Sequence, residues 1–288
     1  MITHPFTYQA PSTIEEAVRE LGRNGESKVI AGGHSLLPLM KLGLAQPEAL
    51  IDLRRIASLR EIRTEDGVIA IGALTTHRDI AHDPTVRAKL AALAEAASAV
   101  GDLQVRARGT IGGSLAHADP AADEPAPALA FGATIRAIGP KGRRDIKATE
   151  YFKGTFETAL AENEIIAEVR FPASAGRTGS AYAKFAHPAS GFAITGVAAV
   201  VTVKADGSVE RAAIGVTGAA AAAYRATAAE KVLAGTNGDA KAIAAAAAKA
   251  TEGITALSDL AASSDYRKHL VTVYAKRAIE RALSRAKA

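Results

Sequence analysis

The sequence predicts an α+β protein made of more than one subdomain, and three observations carry this. The chain has 288 residues, 48% of them hydrophobic, which is enough for a real core and close to the length at which one core stops growing and chains divide. The pattern of elements changes character near residue 55 and again near residue 175. In the last third, strand signals come first and helical, alanine-rich stretches follow, the order of an α+β domain.

The first 55 residues read as a small βα-type unit, subdomain 1. Ser12 with Glu15 three residues on has the form of a capping box, and Ile14, Ala17, Val18 and Leu21 then fall on one helical face. Asn24-Gly25 is the stop signal. Strands follow at Lys28 to Ala31 and Ala49 to Leu53, and between them stands the glycine motif "AGGHSL", Ala31 to Leu36.

Residues 56 to 175 form subdomain 2. Leu59 to Arg63 and Val68 to Ala73 flank "TEDG" and predict a hairpin, because Asp-Gly suits a tight turn. Leu74 to Ala81 and Thr85 to Ala99 predict helices. A second glycine motif opens the stretch from Arg108 to Ala130, and strands are expected at Thr134 to Ile138 and Ile165 to Phe171. "PASAGRTGS", Pro172 to Ser180, has the composition of a linker.

The remainder, 176 to 288, predicts strands at Phe192 to Val203 and Val209 to Val216 around the turn "KADGS". Helices are expected around Ala226 to Ala234, Ala240 to Ala250 and Ser264 to Arg285. The alanine runs at Ala219 to Ala223 and Ala244 to Ala248 favour helix and are not read as disorder.

Composition narrows the function classes. There are no cysteines, so this chain makes no disulfide, no thiolate zinc site and no cysteine-ligated iron–sulfur cluster. Any redox centre is organic or sits on a partner. The net charge is +5, but the basic residues are spread along the chain, aromatics are 5% and tryptophan is absent. That is not the footprint of a nucleic-acid binder, and it fits an anionic ligand or an acidic partner equally well. No signal-peptide pattern opens the chain and no apolar run reaches the ~18 residues of a membrane span. The expectation is a cytoplasmic protein, with peripheral attachment at the inner face of the membrane left open.

The motifs point to a ligand with phosphates. Neither G-x-G-x-x-G after a strand nor G-x-x-x-x-G-K-[ST] occurs, so Rossmann and P-loop readings fail. Instead Gly32-Gly33 and Gly112-Gly113 stand about 80 residues apart. Adjacent glycines let consecutive amides converge on one anion, so two nests can embrace the two phosphates of a dinucleotide; two unrelated turns would give the same residues. His34 reads as a general base, a metal ligand, a covalent flavin attachment point or a loop histidine. His117, Asp119, Asp123 and Glu124 have metal-ligand chemistry, but Pro120, Pro125 and Pro127 stiffen that stretch, and no metal or catalytic residue is assigned. Lys184, flanked by aromatics in "YAKFAHPASGFA", is either an edge residue or a cation placed in a pocket.

Together, "AGGHSLLPLMKLGLAQPEALIDL" (31 to 53), "RGTIGGSLAHADPAAD" (108 to 123) and "YAKFAHPASGFAITGVAA" (182 to 199) resemble the FAD-binding medium subunit of molybdenum hydroxylases, above all the aerobic carbon monoxide dehydrogenase type. The resemblance covers nearly the whole chain, and the order and spacing of three motifs is more specific than any one. It implies a two-subdomain FAD domain of the vanillyl-alcohol-oxidase/p-cresol-methylhydroxylase type, followed by a C-terminal domain with a three-stranded antiparallel sheet and helices.

By that similarity, Ala31, Gly32, Gly33, His34 and Ser35 wrap the FAD pyrophosphate, and His34 is not covalently attached to the flavin. Thr110, Ile111, Gly112, Gly113 and Ser114 form the second phosphate and flavin loop, with Ser114 replacing the Asp or Asn common elsewhere in the family. Asp123 matches an acidic position on the ribityl or ribose side, Ile166 an apolar position beside the adenine or flavin, and Lys184 a lysine near the flavin ring. The resemblance further implies an electron-transfer oxidoreductase subunit in a dimer of heterotrimers. A large partner would carry the molybdenum cofactor, a small one two [2Fe–2S] clusters, and the acceptor would be a quinone, a cytochrome, NAD or oxygen. The rival readings are a free-standing FAD oxidase or reductase and a non-enzymatic binding or assembly module.

Overall fold

The computed structural model describes residues 2–23, 25–173 and 176–288. Its first 55 residues carry β1 (Thr7–Gln9), α1 (Ile14–Leu21), β2 (Ser27–Ile30), α2 (Leu36–Lys41) and β3 (Ala49–Asp52). The strands form a parallel sheet in the order β1-β3-β2. The N-cap of α1 is one residue later than the sequence predicts: Thr13 accepts the Glu16 amide, and the Glu16 carboxylate accepts the Ser12 amide. The helix ends at Leu21 with Gly22 as its cap, before the expected stop, whose Asn24 lies outside the described residues. Ala17, Val18 and Leu21 are buried with Ile51, Leu53 and Leu59.

The next part contains β4 (Ile62–Glu65), β5 (Val68–Gly72), the helices α3 (His77–His82), α4 (Pro84–Lys89), α5 (Ala91–Ala99), α6 (Leu103–Arg108), α7 (Ile111–His117) and α8 (Pro125–Ala130), then β6 (Thr134–Gly139), β7 (Gly142–Lys147), α9 (Ala148–Tyr151), β8 (Phe152–Gly154), β9 (Glu157–Thr158) and β10 (Ile165–Pro172). Five strands pair antiparallel in the order β4-β5-β10-β6-β7, with β8 and β9 as a separate small ribbon. The Asp66-Gly67 hairpin forms as the sequence predicts, with φ of +48° and +75°. The helix expected at 74 begins only at His77, capped by the Thr76 side chain. The one expected over 85 to 99 is broken at Leu90, whose side chain is fully buried among α3–α5 and whose φ/ψ of −128°/46° is not helical. A core contact there outweighs one helical hydrogen bond.

The last part is an antiparallel sheet of β11 (Arg177–Ala186), β12 (Ala193–Val203), β13 (Val209–Thr217) and a short β14 (Tyr224–Arg225), covered by α10 (Thr227–Leu233), α11 (Ala240–Ala248) and α12 (Ser264–Lys287). The sheet thus has the three expected long strands and a two-residue fourth. Arg177–Ser180, read as linker, is the start of β11; Ser174 and Ala175 of that stretch lie outside the described residues. On α12 the buried Val271, Ala275, Ala278, Ile279, Ala282, Leu283 and Ala286 recur at helical spacing against this sheet. The Ala219–Ala223 run is loop, not helix. Gly218 turns the chain at φ +80°, and Ala219 is then buried and bonded to Leu257, so long-range pairing overrides alanine's preference. Among the described residues, no helix is long and apolar enough to cross a membrane.

Candidate functional site

A cleft of about 600 Å3 opens between the first sheet and the helices of the second part, a volume typical of cofactor and small-molecule sites. Of the residues that the resemblance assigns to the cofactor, all but two line it: Ala31 to Ser35, Thr110, Gly112, Gly113, Ser114, Asp123 and Ile166. Ile111 does not, because its side chain is fully buried in the helical core. Lys184 does not line it either, and reaches the cleft only through Asp123.

The first glycine motif is the turn between β2 and α2. Gly33 has φ +80°, a conformation other residues adopt at a cost. Gly32 sits where a Cβ would come within 2.3 Å of the Arg108 carbonyl oxygen. Only glycine therefore lets this turn lie against the Arg108-Gly109 backbone. Among the described residues, the amides of Gly32, Gly33, His34 and Ser35 have no partner within the chain. The Ser35 hydroxyl makes no cap bond to α2, and the His34 and Ser35 side chains are exposed. A row of unspent backbone donors at one wall of a cleft suits an anion.

The second motif is built differently, and its donors are spent. Gly112 and Gly113 lie in the first turn of α7 rather than in a loop. The Ile111 amide donates to the Thr75 carbonyl, the Gly112 amide to the Ala73 carbonyl, and the Gly113 amide to Thr110 Oγ1. Gly112 is required for contact: a Cβ would lie 2.5 Å from the Ala73 Cβ. This motif contributes shape, with a Cβ-free wall at Gly112 and Gly113 and one hydroxyl at Ser114.

Asp123 is 4% exposed and doubly held. Its Oδ1 accepts the Tyr182 hydroxyl at 2.6 Å and its Oδ2 accepts Lys184 Nζ at 2.8 Å. Burial pushes the carboxyl pKa up, against the pull of Lys184 and Tyr182; burial and the same carboxylate push the Tyr182 phenol up. Lys184 Nζ also donates to the Ala99 carbonyl at 2.9 Å. Lys184 is therefore a paired interior cation rather than a free one facing a ligand. The loop before α8 is held from the C-terminal sheet as well: Thr217 Oγ1 donates to the Pro120 and Ala122 carbonyls, and the Ala193 amide to Ala121.

The four residues with metal-ligand chemistry do not converge. His117 packs on Phe156 with ring centroids 4.9 Å apart, Asp119 caps the Ala121 amide, Asp123 belongs to Tyr182 and Lys184, and Glu124 turns to His77.

Sequence reading missed His77. It lines the cleft, is 5% exposed, and its Nδ1 lies 2.8 Å from Glu124 Oε1. No local motif marks it, since its partner is 47 residues away. Phe156 and Phe192, which also line the cleft, carry no sequence signal beyond being exposed aromatics.

Two family models match the chain, one after the other. The family model described as the FAD binding domain in molybdopterin dehydrogenase matches residues 4–174. The CO dehydrogenase flavoprotein C-terminal domain matches 180–282. The carbon monoxide dehydrogenase medium chain of Hydrogenophaga pseudoflava is 43% identical over 286 residues, 99% of each chain. The 6-hydroxypseudooxynicotine dehydrogenase complex subunit alpha of Paenarthrobacter nicotinovorans is 37% identical over 283 residues, 98% of this chain and 96% of that one. A chain of the solved Hydrogenophaga pseudoflava carbon monoxide dehydrogenase, in a form lacking the Mo-pyranopterin moiety of its cofactor, aligns with TM-score 0.95 and 44% identity over 99% of both chains.

Proposed function

The chain belongs to the FAD-binding medium-chain family of the molybdopterin dehydrogenases, of the carbon monoxide dehydrogenase type, and from that premise we propose that it is the electron-transfer subunit of a molybdenum-dependent hydroxylase complex. It takes electrons from [2Fe–2S] clusters of a small partner subunit and passes them to a separate acceptor, a quinone, a cytochrome, NAD or oxygen, while a large subunit with the molybdenum cofactor oxidises the substrate. The assembly is a dimer of heterotrimers. The absence of cysteine supports this division of labour, since the clusters need ligands that this chain lacks.

The observation that carries the reading is end-to-end similarity to medium chains, joined to a cleft with unspent amides at Gly32 to Ser35. That donor set and the Cβ-free walls fit a dinucleotide. In this reading the four amides hold the pyrophosphate. Thr110, Gly112, Gly113 and Ser114 shape the opposite wall, with Ile111 anchoring α7 from the core. Ile166 offers an apolar surface. Asp123 keeps lone pairs for a ligand hydroxyl beyond those given to Tyr182 and Lys184, and Lys184 positions that carboxylate. FAD, when bound, joins one-electron to two-electron exchange. The chain itself supplies no acid–base step; its residues bind, orient and exclude water. The division into 1–55, 56–175 and 176–288 is part of the proposal, supported by the change of sheet at each point.

Relatives of nearly equal similarity are named for carbon monoxide and for 6-hydroxypseudooxynicotine, so the substrate is set by the molybdenum chain. The test is purification of the complex from a host that makes it. A flavin spectrum on this chain and two co-purifying chains, one with molybdenum and one with [2Fe–2S] clusters, are expected. A folded chain that takes up no FAD, or one that turns over a small substrate unaided, would overturn the reading.

A further inference from the structure

The cleft wall and the interior behind it carry two consecutive carboxylates, Asp123 in the wall and Glu124 behind it, 4% and 1% exposed. Each has one basic partner: Lys184 for Asp123 and His77 for Glu124. The two partners differ in access. Lys184 is committed to Asp123 and Ala99 away from the cleft, whereas His77 is part of the cleft wall. The imidazole spends Nδ1 on Glu124, and Nε2 has no protein partner among the described residues. The ring packs against Gly109, where a Cβ would come within 2.7 Å of both Cδ2 and Nε2. Gly109 follows the Arg108 carbonyl on which Gly32 rests, and the His77 amide donates to the Gly109 carbonyl at 3.0 Å. His77 thus stands at the seam between the two glycine motifs.

On these grounds, and resting on the FAD reading above, we infer that His77 is a further cofactor-positioning residue: Glu124 holds its imidazole so that Nε2 offers a charged donor to the anionic dinucleotide. The charge follows from the surroundings. A neutral imidazole would leave Glu124 as an uncompensated buried carboxylate, which is costly. Burial works against the imidazolium, Glu124 and Asp123 work for it, Arg106 opposes it, and the net effect raises the His77 pKa. Glu124 Oε2 has no partner of its own, so His77 is the one hydrogen bond its side chain makes among the described residues. Such a pair does two things a backbone nest does not: it adds a full positive charge to a wall of partial ones, and it makes cofactor binding depend on pH.

The test is titration of the full chain, stripped of flavin, with FAD between about pH 5.5 and 9, followed by quenching of flavin fluorescence, with thermal unfolding of each apoprotein as control. The wild type is expected to bind FAD more weakly as the pH rises through the imidazole's titration. His77→Gln is expected to bind at least about tenfold more weakly at the acid end and to lose that pH dependence. Glu124→Gln keeps a hydrogen-bonding group but removes the charge, and is expected to move the decline to lower pH; it carries the test if His77→Gln does not fold. Wild-type affinity in His77→Gln, or weakened affinity with the wild-type pH profile, overturns the inference and leaves the FAD reading standing, as does an unmoved profile in Glu124→Gln. A folded wild type that binds no FAD overturns the cofactor reading and this inference with it.

Discussion

Lys184 Nζ lies 2.8 Å from Asp123 Oδ2, with both side chains below 10% exposure. A residue of the C-terminal sheet therefore neutralises a carboxyl in the wall of a cleft formed by the N-terminal part. The pair stitches the two together at the place where a ligand would sit, and it accounts for a lysine between aromatics on a buried strand.

Lys184→Met strands the Asp123 carboxylate in the interior. Removing one partner of a buried pair costs about 3–5 kcal/mol, so the chain is expected to unfold at clearly lower denaturant. Adding Asp123→Asn to Lys184→Met is expected to restore much of that stability. Chemical denaturation of the wild type, Lys184→Met, Asp123→Asn and the double variant decides it; additive losses would show that the pair does not act as a unit.

Gly32→Ala and Gly113→Ala are expected to behave differently although both alter a Gly-Gly motif. At Gly32 the new Cβ meets backbone, 2.3 Å from Arg108 O and 2.8 Å from Gly109 Cα. The two walls must part, at a cost of about 1–3 kcal/mol, and FAD affinity should fall at least about tenfold, the equivalent of 1.4 kcal/mol. At Gly113 the nearest atom is Thr110 Oγ1 at 2.9 Å and the site is helical, so a small side-chain shift is offset by alanine's better helix propensity, worth about 1 kcal/mol. Thermal unfolding should show Gly113→Ala close to wild type.

His34→Ala should change little. The residue is exposed and its side chain makes no hydrogen bond or ion pair among the described residues; its unpartnered amide at the cleft wall is kept by the substitution. Stability should stay within about 0.5 kcal/mol, and FAD should remain bound without covalent linkage, as mass spectrometry of the denatured chain would show. Loss of bound flavin in His34→Ala would give the ring a role the geometry does not.

Stability should fall on both sides of a plateau in pH. On the acid side, Asp52 is buried, yet hydrogen bonds from Arg54 and Tyr8 hold its carboxyl below the usual range. Glu168 is likewise buried but held low by Arg170, Arg63 and Arg136. Arg136 lowers Asp145 and Arg144 lowers Glu164. Groups whose folded pKa is depressed contribute stability above their unfolded values, near pH 4, and lose it as the pH drops through the folded ones. His77 has the opposite sign: its folded pKa is raised, so its contribution is complete below about pH 6.5 and is lost as the pH rises through the folded value. Urea midpoints across pH should peak between these limits, and Tyr8→Phe should flatten part of the acid limb.

Much of the fold was legible because the signals are local. Alternation, Asp-Gly turns and helical spacing located most long strands and the last three helices to within a few residues. What escaped was decided by distant contacts. Leu90 breaks a helix to fill a core, Ala219 leaves the helical state to pair with Leu257, and Thr7–Gln9 becomes a strand because Ala49–Asp52 lies beside it. The candidate site divides in the same way. The glycine motifs announce themselves by composition. His77 and Tyr182 do not, since their value lies in Glu124 and Asp123, 47 and 59 positions away.

By itself the sequence determined that the chain is an α+β protein of the FAD-binding medium-chain type with no cluster ligands of its own, because three spaced motifs and a missing residue type are properties of the chain read in order. Only the tertiary structure decided that the amides of the first glycine motif are free while those of the second are spent on Ala73, Thr75 and Thr110, and that Lys184 is paired rather than exposed. The reason is physical. A backbone donor or a charged side chain serves a ligand only if no segment of its own chain has already satisfied it, and which segment lies alongside is set by the packing of sheets and helices, not by the spacing of residues along the sequence.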